Sequence, residues 1–415
     1  MSFAGLWEPL LPIGRNPETG GYRRFSWTEA DLACRAWFRA AAAERGLAVT
    51  PDGNGNLWAW WDTAGGGRDG AVVTGSHLDS VPEGGAFDGP LGVASGFAAI
   101  DLLRERGRVP ARPIAVAAFS EEEGARFGVA CLGSKLLTGL LTPGTALALR
   151  DGDGVSLAEA MTAAGHDPSL AGPDEELVAS IGAFVELHVE QGRALATLGG
   201  TQPDGTGQGA AIGVAEGIWP HGRWRFGFTG RADHAGTARL PDRQDPMLPY
   251  AATVLAAREC AGRLGTLATF GKVIAEPGGV NAVSSSVRAW LDARAPDPEG
   301  LALTVDEIRE AAALAATEHG VELAVAIESV TPPAGFDPAL RERIVRTLAA
   351  AGIDAPVLPT GAGHDAGVLA ARVPAAMLFV RNPTGVSHAP AEHAGLADCE
   401  LGVTALAAVL EDLAC

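Results

Sequence analysis

Residues 71–105 read AVVTGSHLDSVPEGGAFDGPLGVASGFAAIDLLRE, and this stretch decides the architecture. Ala71 to Thr74 is a short apolar run that reads as a buried strand spilling into a Gly-rich polar loop. Residues 91–105 then place apolar side chains at helical spacing. Pro113 to Phe119 (PIAVAAF) is a second apolar run, ending at SEEEG. Strand, polar loop, helix, strand, polar loop predicts an α/β fold, in which ligands bind beyond the carboxyl ends of the strands.

The pattern recurs further along the chain. Ala183 to Leu187 (AFVEL) delivers His188 and then Glu190-Gln191-Gly192, and Ala375 to Val380 (AAMLFV) leads into RNPTGVSHAPAEH. Four predicted strand ends therefore carry polar residues. Between them, residues 210–330 follow another rhythm: alternating runs (GRWRFGFTG, SSVRAWLDARA, VELAVAIESV) separated by helical ones (DPMLPYAATVLAARECA, LALTVDEIREAAALAATEHG). This predicts a separate α+β unit interrupting one catalytic domain, with the catalytic parts at 1–209 and 331–415. Gly199 to Gly209 (GGTQPDGTGQG) reads as an exposed linker at the first crossing.

Composition agrees with two domains, or one domain with a large insertion, at 415 residues. With 47% hydrophobic and 20% charged residues the chain is globular rather than disordered. A formal net charge of −19 argues against nucleic acid or an anionic membrane as partner, since both demand a basic face. No apolar run approaches membrane-spanning length. The five cysteines, Cys34, Cys131, Cys260, Cys399 and Cys415, contain no C-x-x-C pair. Their odd count and the lack of a secretory signal lead us to expect a cytoplasmic protein.

His77, Asp79, Asp88, Glu122, Glu123, His188 and His388 all fall on predicted loops after strands or at strand ends. Imidazole and carboxylate without clustered thiols is the ligand chemistry of a catalytic zinc or manganese site rather than a structural zinc site. Taken singly, each histidine is better read as a hydrogen-bonded structural residue. Two features shift the balance. Asp88 sits in the tight AFDGP loop, where a buried charge is costly without a cation, and Glu121-Glu122-Glu123 directly follows an apolar strand.

Together, GSHLDSVPEGGAFDGPLGV, FSEEEGARFG, ELHVEQG, DHAGT, GAGHDA and SHAPAE, in this order over nearly the whole chain, resemble the hydantoinase/carbamoylase family of dinuclear metal amidohydrolases. That family includes N-carbamoyl-L-amino-acid hydrolases, β-ureidopropionases and allantoate amidohydrolases, and is related to zinc aminopeptidases and aminoacylases. The resemblance implies a zinc-aminopeptidase-like catalytic domain, a mixed sheet flanked by helices, interrupted by an inserted α+β dimerisation (lid) domain at 210–330. It implies two divalent metal ions per subunit, zinc or manganese, with cobalt and nickel accepted by the same ligands. Asp88 would bridge them, with His77 and His188 on one side and Glu123 and His388 on the other.

On the same resemblance Glu122 is the general base and Asp79 the carboxylate that orients His77. His234 and Asn281 are donors to the oxyanion, with His234 acting across the interface of a homodimer. Arg294 clamps a substrate carboxylate through its planar fork, and Gln191, Gly363 and His364 are further substrate contacts. Where allantoate-specific relatives commonly read Gly-Gln-Arg, this chain reads Pro220-His221-Gly222, so His221 or Arg223 would take over that contact. The implied reaction is hydrolysis of the ureido C–N bond of an N-carbamoyl-L-amino acid or allantoate.

The competing readings are an aminoacylase or aminopeptidase using the same chemistry, and a catalytically idle binding protein. No G-x-S-x-G nucleophile elbow occurs. The glycine run at Gly205, Gly207 and Gly209 lacks a flanking strand and helix, which argues against dinucleotide binding.

Overall fold

The structure, a computed structural model, describes residues 2–198 and 209–415. The linker read at Gly199–Gly209 and the nearby glycine run lie outside the described residues, apart from Gly209. In chain order the strands are β1 (Ala48–Pro51), β2 (Leu57–Trp61), β3 (Ala71–His77), β4 (Ile114–Phe119), β5 (Ile181–Val189), β6 (Ile212–Ile218), β7 (His221–Thr229), β8 (Asp233–His234), β9 (Leu267–Glu276), β10 (Ala282–Val283), β11 (Ser286–Arg294), β12 (Glu322–Thr331), β13 (Ala334–Gly335), β14 (Val357–Thr360) and β15 (Ala375–Val380). The chain divides into two compact units, residues 1–217 with 335–415, and residues 218–334.

The first unit is built on one mixed sheet in the order β1-β2-β4-β3-β5-β15-β6-β13, with β14 on β6. Its centre, β4-β3-β5-β15, is parallel, while β2 and β6 add antiparallel neighbours. Strands β3, β4 and β15 are buried along their whole length. Such continuous apolar runs are what a parallel sheet covered on both faces requires. The helices Pro90–Glu105 and Leu396–Ala414 contribute Leu91, Phe97, Ile100, Leu406 and Leu410 to the same core as Val72, Val116, Val185 and Leu378. Because the four central strands are parallel, their carboxyl ends, from which His77, Ser120, Glu190 and Arg381 follow or close the strand, share one edge.

The second unit is an antiparallel sheet in the order β12-β7-β11-β9, with the helices Met247–Leu264 and Pro298–Glu318 and the small pair β8-β10. Alternating burial along β7 and β11 sends Phe226, Phe228, Val287 and Leu291 to a core shared with Val305 and Ile308 of the second helix. The second unit starts later than the residue 210 expected from the sequence, at residue 218, and β6 lies in the large sheet. Ile212 and Val214 are fully buried in the large core, and β6 pairs antiparallel with β15 from Ile212↔Val380 to Val214↔Leu378. Among the described residues no helix is long and apolar enough to cross a membrane.

Candidate metal centre

His77 is the last residue of β3, and its Nδ1 lies 3.1 Å from the main-chain oxygen of Asp79. A carbonyl cannot donate, so Nδ1 carries a proton, and in the neutral ring Nε2 offers its lone pair. His188, on β5, repeats the arrangement, with Nδ1 2.9 Å from the Val189 oxygen. Its Nε2 is buried and has no hydrogen-bond partner. Both rings are thus held with a ligating atom facing inward.

Between them stands Asp88, 3% exposed, in the loop that joins β3 to the helix Pro90–Glu105. Its Oδ1 lies 3.2 Å from His188 Nε2 and 3.5 Å from His77 Nε2, while Oδ2 lies 3.5 Å from Nε2 of His388. Glu123 Oε2 is 3.6 Å from the same His388 nitrogen. The ligand atoms therefore form two groups sharing one aspartate: His77, Asp88 and His188, and Asp88, Glu123 and His388, each within 4.8 Å. His388, 51% exposed and at φ 56°, opens the second group to solvent. Gly89 is needed beside Asp88: its φ is +83°, and a Cβ there would sit 2.4 Å from Cε1 of His77.

Glu122 is buried next to this cluster with Oε2 3.8 Å from His77 Nε2, and its Oε1 accepts the Cys131 thiol at 3.1 Å. Burial pushes its carboxyl up to about 7, against the lowering pull of the His77 imidazole. Glu123 is raised well above the usual range by burial and then by the charges of Asp88 and Glu122. Asp88 moves the other way. Burial opposes its charge, but the imidazoles of His188 and His77 hold it well below the ordinary carboxylate value. So much like charge in so little space is a cation-binding environment. The buried Nε2 of His188, which makes no hydrogen bond and faces Asp88 Oδ1 within a set of imidazole and carboxylate donors, fits a divalent transition metal.

The surroundings refine the expectations. Asp79 meets His77 chiefly through its main-chain oxygen. Its carboxylate Oδ1 is 3.5 Å from the ring nitrogen and instead accepts the N–H of Glu122 at 3.2 Å, while Oδ2 accepts that of Glu123 at 3.1 Å. It therefore fixes the turn that presents both glutamates. Gln191, expected at the substrate, has its Nε2 2.9 Å from Asp88 Oδ2 and 3.3 Å from His388 Nε2, on the cluster itself. His364 is buried against His188, ring centroids 4.5 Å apart, with Nε2 unpartnered, and Gly363 beside it is exposed. Burial and then His188 hold the His364 imidazole well below its usual value.

The remaining expected residues lie in the second unit. His234 pairs with Ala282 across β8 and β10, and Asn281, the residue before β10, accepts the N–H of Ala235 at 2.9 Å. His221 and Arg294 are directly opposite on β7 and β11. Asp292 ties the group together, accepting Arg294 Nε at 2.8 Å and lying 3.6 Å from Arg223 Nε. Sequence reading singled out neither Cys131, which donates to Glu122, nor Asp292, which accepts from Arg294. Cys131 stands eight residues beyond Glu123 without a motif of its own, and Asp292 is marked only by its place two residues before Arg294 in an alternating strand.

Comparison with known proteins identifies the family. Residues 73–412 match the model of peptidase family M20/M25/M40. The chain is 36% identical to N-carbamoyl-L-amino acid amidohydrolase of Geobacillus stearothermophilus over 405 residues, 97% of this chain and 96% of that enzyme. It is 31% identical to allantoate amidohydrolase of Escherichia coli strain K12, over 98% of this chain and 96% of that one. The crystal structure of a hydantoinase/carbamoylase family amidase from Burkholderia vietnamiensis superimposes with a TM-score of 0.86 at 29% identity, covering 100% of this chain and 97% of that chain. With these matches and a cluster built on strand ends of a shared fold, the chain belongs to peptidase family M20/M25/M40, in its hydantoinase/carbamoylase branch.

Proposed function

We propose that this protein hydrolyses the ureido C–N bond of an N-carbamoyl-L-amino acid or of allantoate, releasing ammonia and carbon dioxide, and that it does so with two divalent metal ions, zinc or manganese. The observation that carries this reading is Asp88, whose two carboxylate oxygens face different sets of ligands. One ion would be held by His77, Asp88 and His188, the other by Asp88, Glu123 and His388. When bound, the ions polarise the ureido carbonyl and lower the pKa of water.

The protein's own residues supply the rest. Glu122, with Oε1 engaged by Cys131, has Oε2 on the His77 side to take a proton from the attacking water and return it to the leaving nitrogen. His234 and Asn281 would donate to the developing oxyanion, and Arg294, flanked by His221 and Arg223, would bind the substrate carboxylate. Gln191, Gly363 and His364 complete the expected substrate contacts. Asp292 keeps Arg294 aligned until substrate arrives.

A homodimer formed through the second unit is part of this proposal. Leu248 and Leu255 on one helix and Leu267 and Val273 on the edge strand β9 leave apolar surface exposed on that unit, which a second copy would cover. Light scattering at micromolar concentration should give about twice the chain mass. Five free cysteines support a cytoplasmic location.

Two experiments test the reaction. Ammonia release is measured over N-carbamoyl-L- and D-amino acids, N-carbamoyl-β-alanine and allantoate, and release of a free α-amino group is measured over acyl amino acids and dipeptides. Turnover confined to the acyl amino acids or dipeptides would replace this reading with an aminoacylase or aminopeptidase. Glu122→Gln should abolish turnover while leaving metal content at the parental level, and parental ammonia release by that variant refutes its role as base.

A further inference from the structure

Glu392 is 5% exposed and lies four residues beyond His388, in the loop before the helix Leu396–Ala414. Its Oε1 accepts two consecutive main-chain N–H groups, those of Phe87 at 3.1 Å and Asp88 at 3.0 Å. Its Oε2 receives the Ser387 hydroxyl at 3.4 Å. One carboxylate thus spans 304 positions of sequence, gripping the loop that carries the shared aspartate with one oxygen and the loop that carries His388 with the other. The fit is close, since a Cβ on Gly85 would fall 2.3 Å from Glu392 Oε1. Burial and then the charge of Asp88 push its carboxyl up to about 7, against the lowering pull of His188 and of these two N–H groups.

We propose that Glu392 is the positioning residue that holds the Asp88 and His388 loops in register for cation binding. The inference rests on the two-metal reading above. Asp88 must direct Oδ1 to one pair of imidazoles and Oδ2 to a third, and two fixed oxygens require a fixed backbone. A carboxylate accepting the N–H of Asp88 itself supplies that constraint. Because Ser387 adjoins His388, the same side chain also sets where the most exposed ligand stands. Such outer partners of metal ligands are worth about 10–100-fold in affinity.

The test is the affinity of metal-stripped, full-length protein for Zn2+, measured by calorimetry against a competing chelator, with stoichiometry and the melting temperature of the metal-free protein recorded in parallel. Glu392→Ala is expected to weaken binding about 10–100-fold while the metal-free protein melts within a few degrees of the parent. Glu392→Gln, whose amide oxygen still accepts both N–H groups, is expected to recover most of the affinity. Unchanged affinity in Glu392→Ala, or no recovery in Glu392→Gln, overturns the proposal. If Glu392→Ala does not fold, Glu392→Asp decides: one methylene shorter, it cannot span both loops, and parental affinity in it also overturns the proposal. A parent protein that binds no Zn2+ would instead overturn the two-metal reading.

Discussion

The Cys131 thiol meets Glu122 Oε1 at 3.1 Å in a buried setting, so the carboxylate that is proposed to move protons has one oxygen already oriented. Removing that donor should misalign the base without disturbing the metal ligands. A hydrogen bond to a charged group contributes about 1.5–3 kcal/mol, which predicts that Cys131→Ala lowers kcat by about 10–100-fold with KM and metal content little changed. Cys131→Ser, which keeps a donor, should retain most of the activity. Steady-state kinetics with elemental analysis separates the two outcomes. His188 gives a second prediction at this scale. Its Nε2 faces Asp88 Oδ1 at 3.2 Å in the first ligand group, so His188→Ala should shed one metal ion per chain, measured by elemental analysis, and leave the buried Asp88 charge less well compensated.

At the scale of elements, the site depends on how β3 turns into the following helix. Gly89 bears φ +83° with the His77 ring against it, so Gly89→Ala introduces both backbone strain and a clash. The ring must move, and weaker metal binding together with a lower melting temperature is the expected result, read by calorimetry and thermal denaturation. In the second unit Phe226 is fully buried between the sheet and its helices. Phe226→Ala should cost that unit about 3–5 kcal/mol. The strands themselves were legible in the sequence because a continuous apolar run and a strict alternation bury different numbers of faces. β3, β4 and β15 showed the first pattern and β7 and β11 the second. The boundary expected at residue 210 falls before β6, because the partner that holds β6 in the large sheet, β15, lies more than 150 residues away and no local pattern announces the pairing.

For the whole molecule, two units with separate cores and ligands confined to one of them predict two heat-induced transitions. A metal that binds only the folded state stabilises by about 2.7 kcal/mol at a hundredfold excess over its dissociation constant. Chelation should therefore lower the transition of the first unit and leave that of the second in place, and Phe226→Ala should do the reverse. Differential scanning calorimetry checks both. A single transition that shifts as one under either treatment would contradict the independence of the two cores.

The amino-acid sequence by itself determined the local structure and the inventory of ligands: apolar runs that must be buried, Gly-rich loops at their ends, and histidines and carboxylates on those loops. The grouping of these ligands around Asp88 came to the sequence reading only through family resemblance, since nothing in their spacing assigns them to one ion or another. Tertiary structure decided which oxygen of Asp88 faces which imidazole, that Asp79 pins the glutamate turn through main-chain amides, and that Glu392 joins two ligand loops. The physical reason is that main-chain N–H groups are the same at every residue but proline. A side chain that acts by accepting from them leaves no signature until strand order brings distant loops together.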